Sequence, residues 1–95
     1  MSDPSTLILL SLSAAEKHGY AMVEDIEAFA GVRLGPGTLY GAITRLEKQG
    51  WIKPVPGNDR RQPYRLTALG KRQLEGELAR LQQMVKTGLT RLKPA

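Results

Sequence analysis

The residues with the clearest chemical potential in this 95-residue chain are its arginines and lysines, which concentrate in the middle of the sequence. Between positions 33 and 72 the chain has nine basic residues and two acidic ones, a net charge of +7 within a total of +5. Such a block predicts an electrostatic contact with a polyanion, and a solvated basic face is the alternative. The basic residues are Arg33, Arg45, Lys48, Lys53, Arg60, Arg61, Arg65, Lys71 and Arg72, and the acidic ones are Glu47 and Asp59.

Catalytic and metal-binding chemistry has little support in the composition. The chain has no cysteine and a single histidine, His18. Disulfides and thiolate metal sites are therefore excluded, and no Ser-His-Asp arrangement is recognisable. The carboxylates near His18 in the sequence are too scattered to form an acid–base pair: Glu16, Glu24, Asp25 and Glu27. We expect no enzymatic activity and no cofactor, and we expect His18 to make structural hydrogen bonds.

The length and the N-terminal residues bound the class of protein. An apolar run at 7–10 follows Asp3 and Pro4 without a positive flank, and it is too short to span a bilayer. These features favour a cytoplasmic protein without a membrane contact. A domain this small buries only about 60–65% of its unfolded surface, which favours pairing with a second copy.

Helix signals recur along the first half of the chain. Asp3 and Pro4 predict the N-cap and first position of an apolar first helix. A second helix is expected over about 20–30, with Phe29 among its buried residues. Pro36 is expected to begin a third helix that runs to about Gln49 and ends at Gly50 in a left-handed cap. Two short helices joined by a Gly-containing turn predict a helix-turn-helix.

The second half of the chain predicts a hairpin and a long helix. Short apolar segments at 51–55 and 63–66 flank the polar turn 56–62, which predicts a β-hairpin with a basic tip, the wing of a winged helix-turn-helix. Thr67 is the expected N-cap of a last helix from Ala68 to about Leu92. At 1.5 Å per residue this helix is about 37 Å long, more than a compact domain of this size needs.

The last helix has apolar residues at heptad-like spacing, which predicts a dimerisation seam. We therefore expect a mainly α-helical fold with a small β-hairpin. Residues 1–67 would form the winged helix-turn-helix and 68–95 the dimerisation helix, within one compact unit. The predicted dimer interface comprises Leu74, Leu78, Leu81, Val85, Leu89 and Leu92.

Three motifs in a fixed order resemble the PadR family of transcriptional regulators. They are His-Gly-Tyr at 18–20, Pro-Gly-Thr-Leu-Tyr at 36–40 followed by Arg-Leu at 45–46, and Tyr-Arg-Leu-Thr at 64–67 followed by Gly70. The resemblance implies a repressor-like homodimer that places the third helix in the major groove of DNA. It also implies a possible small aromatic effector. Trp51 departs from the aliphatic residues usual in the family, and its role as packing or ligand residue stays open.

The face of the third helix opposite its apolar stripe carries hydroxyls, glycines and long cations, which suit a DNA groove. The alternative is an ordinary solvated face, and Arg45 is equally suited to contact a guanine or a phosphate. The predicted DNA-binding residues of the helix are Pro36, Gly37, Thr38, Tyr40, Gly41, Thr44, Arg45 and Lys48. Those of the wing are Asn58, Arg60 and Arg61.

The predicted function is sequence-specific binding of double-stranded DNA at a pseudo-palindromic operator, with repression as the outcome. Two alternatives stay open at this point. A winged helix can use the same surfaces to bind a protein, and a ligand-sensing regulator can release DNA when it binds a small aromatic compound.

Overall fold

A computed structural model describes residues 3–58 and 60–94. The elements in chain order are α1 (Pro4–Ala14), β1 (Lys17–His18), α2 (Gly19–Ala30), α3 (Pro36–Lys48), β2 (Ile52–Pro54), β3 (Pro63–Leu66) and α4 (Ala68–Leu92). The predicted fold class, mainly α-helical with a winged helix-turn-helix and a long last helix, is confirmed. Asp59 of the predicted wing turn lies outside the described residues, as do positions 1, 2 and 95 of the predicted ranges.

The helix boundaries follow from the capping residues. The Asp3 carboxylate accepts a hydrogen bond from the Ser5 N–H at 3.2 Å, at the start of α1. Gly50, just past α3, has φ +77°, the left-handed conformation that favours glycine. Thr67 Oγ1 accepts the Gly70 N–H at 3.0 Å and donates to the Gly50 carbonyl at 2.7 Å, so one hydroxyl connects the end of α3 to the start of α4.

Helix α1 lies at the centre of the fold and contacts all three other helices as well as β3. It is apolar on all sides, as expected for a helix surrounded by other elements. The largest fully buried apolar side chains come from α1 itself, α2, α3 and β2: Ile8, Met22, Ile26, Leu46 and Ile52. This single core fixes the orientation of α3 relative to α2.

The sheet contains one strand more than the predicted hairpin. β2 and β3 form the expected antiparallel hairpin, and β1 pairs with the other edge of β3, which gives the order β1-β3-β2. Lys17 lies opposite Tyr64 and His18 opposite Pro63. A two-residue strand carries no periodicity, so its formation depends on this long-range pairing and not on a local signal.

The expectation that Phe29 is buried is wrong. Its side chain is 48% exposed, although it lies on the same side of α2 as the buried Met22. Phe29 belongs to the last turn of α2, one turn beyond Ile26, the last fully buried residue of that helix. Helical periodicity predicts which side of a helix faces the core, but not where the neighbouring elements end.

The assignment of Leu74 to a dimer seam also needs correction. Leu74 is only 4% exposed and belongs to the core of its own chain, so it leaves almost no surface for a partner. Beyond Leu74 the described part of α4 has no further buried residue. The chain is 60 Å along its longest axis, and its radius of gyration of 15.0 Å exceeds the roughly 12.4 Å expected for a compact domain of this length.

None of the helices in residues 3–58 and 60–94 is long and apolar enough to cross a membrane.

Candidate nucleic-acid interface

Helix α3 separates its side chains cleanly into a buried and an outward face. Leu39, Ala42, Ile43 and Leu46 are buried against the core. The eight residues predicted to bind DNA all lie on the rest of the helix surface, and seven of them are exposed while Gly41 is half-buried. The hydroxyl of Thr44 donates to the Tyr40 carbonyl at 2.9 Å, so as a donor it is already engaged within the helix.

Two glycines on the outward face have no packing reason within the chain. Among the residues that the structure describes, a Cβ at Gly37 would have no neighbour within 4 Å, and one at Gly41 would meet only the Arg45 Nη1 atom at an ordinary 3.7 Å. Glycine at such helical positions costs about 0.5–1 kcal/mol relative to alanine. The two glycines therefore lower the stability of α3, and no contact among the described residues requires a glycine at either position.

The wing is a tight turn held by its own backbone. The Val55 N–H donates to the Pro63 carbonyl at 3.1 Å, and the side-chain Nε2 of Gln62 donates to the Val55 carbonyl at 2.9 Å. A Cβ at Gly57 would lie 2.3 Å from Pro63 Cδ, which leaves no room for another residue there. This turn leaves the three predicted wing residues exposed: Asn58, Arg60 and Arg61.

The His-Gly-Tyr motif joins the start of α2 to α3. His18 Nδ1 accepts the Ala21 N–H at 3.3 Å and thereby caps α2, the structural role that the sequence predicted. A Cβ at Gly19 would lie 2.9 Å from the Tyr40 hydroxyl and 3.2 Å from Leu39 Cδ2. Glycine at position 19 therefore permits the close approach of α3 to α2.

A cleft of about 620 Å³ lies between the start of α2, α3 and the wing. Within it, Arg61 Nη1 of the wing lies 3.0 Å from His18 Nε2. The sequence did not predict this contact, because it depends on the pairing of β1 with β3. The lining residues are His18, Gly19, Tyr20, Tyr40, Arg60, Arg61, Gln62 and Tyr64.

The tyrosines of the cleft differ in environment. Tyr64 is half-buried and packs against the core, whereas Tyr20 is exposed. Burial raises the pKa of the Tyr64 phenol, and the nearby Glu47 carboxylate and the Tyr40 side chain raise it further. Tyr64 therefore keeps its proton at neutral pH.

The basic block divides into paired and unpaired residues. Arg33 pairs with Glu27 at 3.0 Å, and Arg65 pairs with Glu16 at 2.5 Å. The hydrogen bonds that Arg33 donates to Glu27 and Tyr20 raise the pKa of its guanidinium. Within the part of the chain that the structure describes, no carboxylate pairs with the cations of α3 and the wing, namely Arg45, Lys48, Arg60 and Arg61.

The close contact between Gly70 and Trp51 explains why a glycine follows the Tyr-Arg-Leu-Thr motif. A Cβ at Gly70 would lie 2.0 Å from the Trp51 carbonyl oxygen, so only glycine allows α4 to begin against this backbone. The same oxygen accepts the Thr67 N–H at 3.0 Å. The Trp51 side chain packs against the core, which makes packing its observed role.

A helix-turn-helix followed by a β-wing defines the winged-helix class of DNA-binding folds. Residues 8–76 match the model of the transcriptional regulator PadR-like family. Because this match covers most of the chain, the protein belongs to the PadR-like family, and the resemblance of its motifs is confirmed.

Solved structures agree with this assignment. A PadR family transcription regulator from Clostridium difficile superposes with a TM-score of 0.85 at 26% identity, over 95% of this chain and 98% of that one. A PadR family transcriptional regulator from Eggerthella lenta gives 0.78 at 30% identity, over 95% and 84%. A transcriptional regulator from Clostridium thermocellum gives 0.82 at 28% identity, over 95% and 90%.

One curated relative is an uncharacterized 37.1 kDa protein of transposon Tn4556 from Streptomyces fradiae. It is 42% identical over 76 residues, which are 80% of this chain. The chain spans only 22% of the length of that protein.

Proposed function

We propose that this chain acts in the cytoplasm as a homodimeric repressor that binds double-stranded DNA. Helix α3 would enter the major groove, and the wing would contact the backbone or the minor groove. A dimer that covers an operator excludes other proteins from the same DNA, so repression is the outcome we propose.

The observation that carries this proposal is the outward surface of α3 and the wing. It combines exposed cations that have no carboxylate partner among the described residues with glycines that the fold does not need. Unpaired cations suit phosphates, and bare helix backbone suits close approach to a groove. A protein partner would explain the glycines but not the concentration of one sign of charge.

Affinity for duplex DNA as a function of salt tests the proposal. Each phosphate neutralised by a cation adds about 0.9 to the slope of log affinity against log salt. Arg60→Ala combined with Arg61→Ala should weaken binding to all duplexes about equally and reduce the slope by up to roughly two. Lys86→Ala combined with Arg91→Ala removes the same charge from exposed positions of α4 and should leave the slope unchanged. A wing double variant with the wild-type slope would rule out the wing as a phosphate contact.

The homodimer is supported by the surface area of the single chain. A folded monomer of 10.4 kDa is expected to expose about 5,400 Å², whereas this chain exposes 6646 Å². The difference is of the order of the 800 Å² that each partner buries in a standard interface. The apolar face of α4 beyond Leu74 is open to such a partner, since the following residues are exposed: Leu78, Leu81, Met84, Val85, Leu89 and Leu92.

We propose that the α4 face of a second copy covers these residues. Full burial of such a side chain is worth about 1.5–3 kcal/mol, so the gain is largest at Val85, Leu89 and Leu92 and smaller at Leu78 and Leu81, which are 39% and 36% exposed. Monomers rarely leave a contiguous apolar face of this kind exposed. A twofold axis through this pair would place two α3 helices about 34 Å apart, or a multiple of that, facing a pseudo-palindrome.

Two charges within the seam test the dimer. Leu78→Asp combined with Leu81→Asp should give a monomer or an unfolded chain in sedimentation, with a steep loss of DNA binding. Ala79→Asp combined with Gln83→Asp introduces the same charge on the opposite, exposed face of α4 and should remain dimeric. If the seam variant also stays dimeric and binds DNA normally, the interface lies elsewhere.

A small aromatic effector is a second proposal, supported by a groove of about 450 Å³ between α2 and the start of α3. Val23, Leu34 and Leu39 form its apolar wall. The Arg33 guanidinium, which also pairs with Glu27 through Nη1, lies at its side. This combination suits an aromatic carboxylate, and Tyr40 would make its binding compete with DNA. Calorimetric titration with benzoate, using Arg33→Gln as the comparison, tests it, and absence of heat with the wild type would exclude this ligand.

A further inference from the structure

The contact between His18 and Arg61 contains an unmet hydrogen-bonding requirement. The Ala21 N–H is directed at His18 Nδ1 at 3.3 Å, and a neutral imidazole has a single acceptor nitrogen, so when Nδ1 accepts this cap the ring proton is on Nε2. Arg61 Nη1 lies 3.0 Å from that Nε2. Arginine has hydrogen-bond donors and no acceptor, so an N–H of Arg61 and the Nε2–H of His18 face each other. They cannot hydrogen-bond to each other, and an acceptor is missing.

The surroundings of this point favour an anion as the missing acceptor. The described lining of the cleft contains two guanidinium groups, three phenol hydroxyls and the imidazole, but no carboxylate. The cations Arg60 and Arg61 are exposed, so an incoming group can reach them. The cleft also adjoins α3, since Tyr40 lines it and lies against Gly19.

We propose that this cleft binds one phosphate group of the DNA backbone, with His18 Nε2–H and the Arg61 guanidinium as its donors. The inference rests on the proposed DNA-binding function and extends it to a residue that is not part of α3 or of the wing. A phosphate oxygen between the two groups would accept a hydrogen bond from each, so that both donors have an acceptor. With Nδ1 engaged in the cap of α2, Nε2 is the nitrogen left to donate to the phosphate, so one side chain would serve both the helix start and the phosphate position.

His18 would therefore have two roles, as the cap of α2 and as a phosphate contact, and His18→Asn should remove only the second. Asparagine is among the best N-cap residues, so the variant should keep the cap of α2 and melt close to the wild type. Its shorter side chain would not present a donor in the cleft. Hydrogen bonds to charged groups are strong, so we expect DNA affinity to fall at least about tenfold. His18→Ala loses both roles and should also lower the melting temperature.

The salt dependence distinguishes this contact from an ordinary cation. A neutral imidazole releases no counterion, so His18→Asn should weaken binding without changing the slope of log affinity against log salt. Arg61→Ala should weaken binding and reduce the slope by about one. A duplex selected from a random pool by the wild-type protein, labelled with fluorescein and followed by anisotropy, is the probe.

Neutralising single phosphates tests the same contact without relying on one variant. The selected duplex is prepared with a methylphosphonate at one backbone position at a time. We expect one position per half-site at which the neutral group weakens the wild type but has little further effect on His18→Asn. If the two effects add at every position, or if His18→Asn binds like the wild type, the inference is wrong. A wild-type protein that binds no duplex would instead overturn the proposed function itself.

Discussion

Replacing Gly41 with alanine should stabilise the protein and at the same time weaken its binding to DNA. Within residues 3–58 and 60–94 the new Cβ would meet only Arg45 Nη1, at an ordinary 3.7 Å, so this part of the fold accepts it without strain. Alanine is favoured over glycine in a helix by about 0.5–1 kcal/mol. For a chain of this length the unfolding entropy is about 0.2 kcal/mol per kelvin, so the melting temperature should rise by about 3–5 °C.

The effect on DNA has the opposite sign because the methyl group would occupy the surface between α3 and the groove. Overpacking a close interface by one methyl group costs about 1–3 kcal/mol, which corresponds to roughly 5- to 150-fold weaker binding per half-site. Gly76→Ala is the matched control, because α4 also leaves position 76 without a neighbour within 4 Å. It should raise the melting temperature similarly and leave DNA affinity unchanged. Calorimetric melting and anisotropy titration measure the two quantities. A stabilised Gly41→Ala protein with undiminished DNA affinity would refute the reasoning that α3 presents this face to DNA.

Three further predictions follow from the same structure. If Arg45 contacts a base, Arg45→Ala should weaken the free energy of DNA binding by about 1–3 kcal/mol and relax the preference at one base pair per half-site. Unchanged relative affinities across single-base operator variants would show that Arg45 contacts the DNA backbone instead. Gly70→Ala places a Cβ 2.0 Å from the Trp51 carbonyl oxygen and should lower the melting temperature by at least about 5 °C, so a melting temperature at or above that of the wild type would contradict the packing described. The raised pKa of Tyr64 means that the unfolded chain loses this proton first, near pH 10. Its contribution to stability is present below that pH and is lost as the pH rises through the folded-state pKa, so Tyr64→Phe should lose less stability between pH 9 and 11 than the wild type.

The local signals of the sequence were sufficient for most helix boundaries. Capping is decided by neighbouring residues, so Asp3, Gly50 and Thr67 mark the same boundaries in the sequence and in the structure. The inward stripe of α3 was likewise predictable, because 3.6-residue periodicity places Leu39 and Leu46 on one side.

The features that were missed depend on long-range contacts. β1 exists because Lys17 meets Tyr64, and nothing near position 17 predicts that pairing. Leu74 shares the heptad spacing of the residues that follow it, but it is buried in the core of its own chain, and the spacing alone could not show where the core ends along α4. The contact between His18 and Arg61 also depends on long-range pairing, because the two residues are 43 positions apart in the sequence, and it could not be predicted from local signals.

Selection of duplexes from a random pool by the wild-type protein, followed by a salt titration of the enriched duplex, tests the central claim most directly. If two copies bind DNA through α3 and the wing, the pool should converge on a pseudo-palindrome whose half-site centres lie one helical turn, about 34 Å, or a multiple of it apart. Its affinity should fall steeply and linearly with log salt. A pool without enrichment, together with no salt-dependent retention of any duplex, would contradict the account.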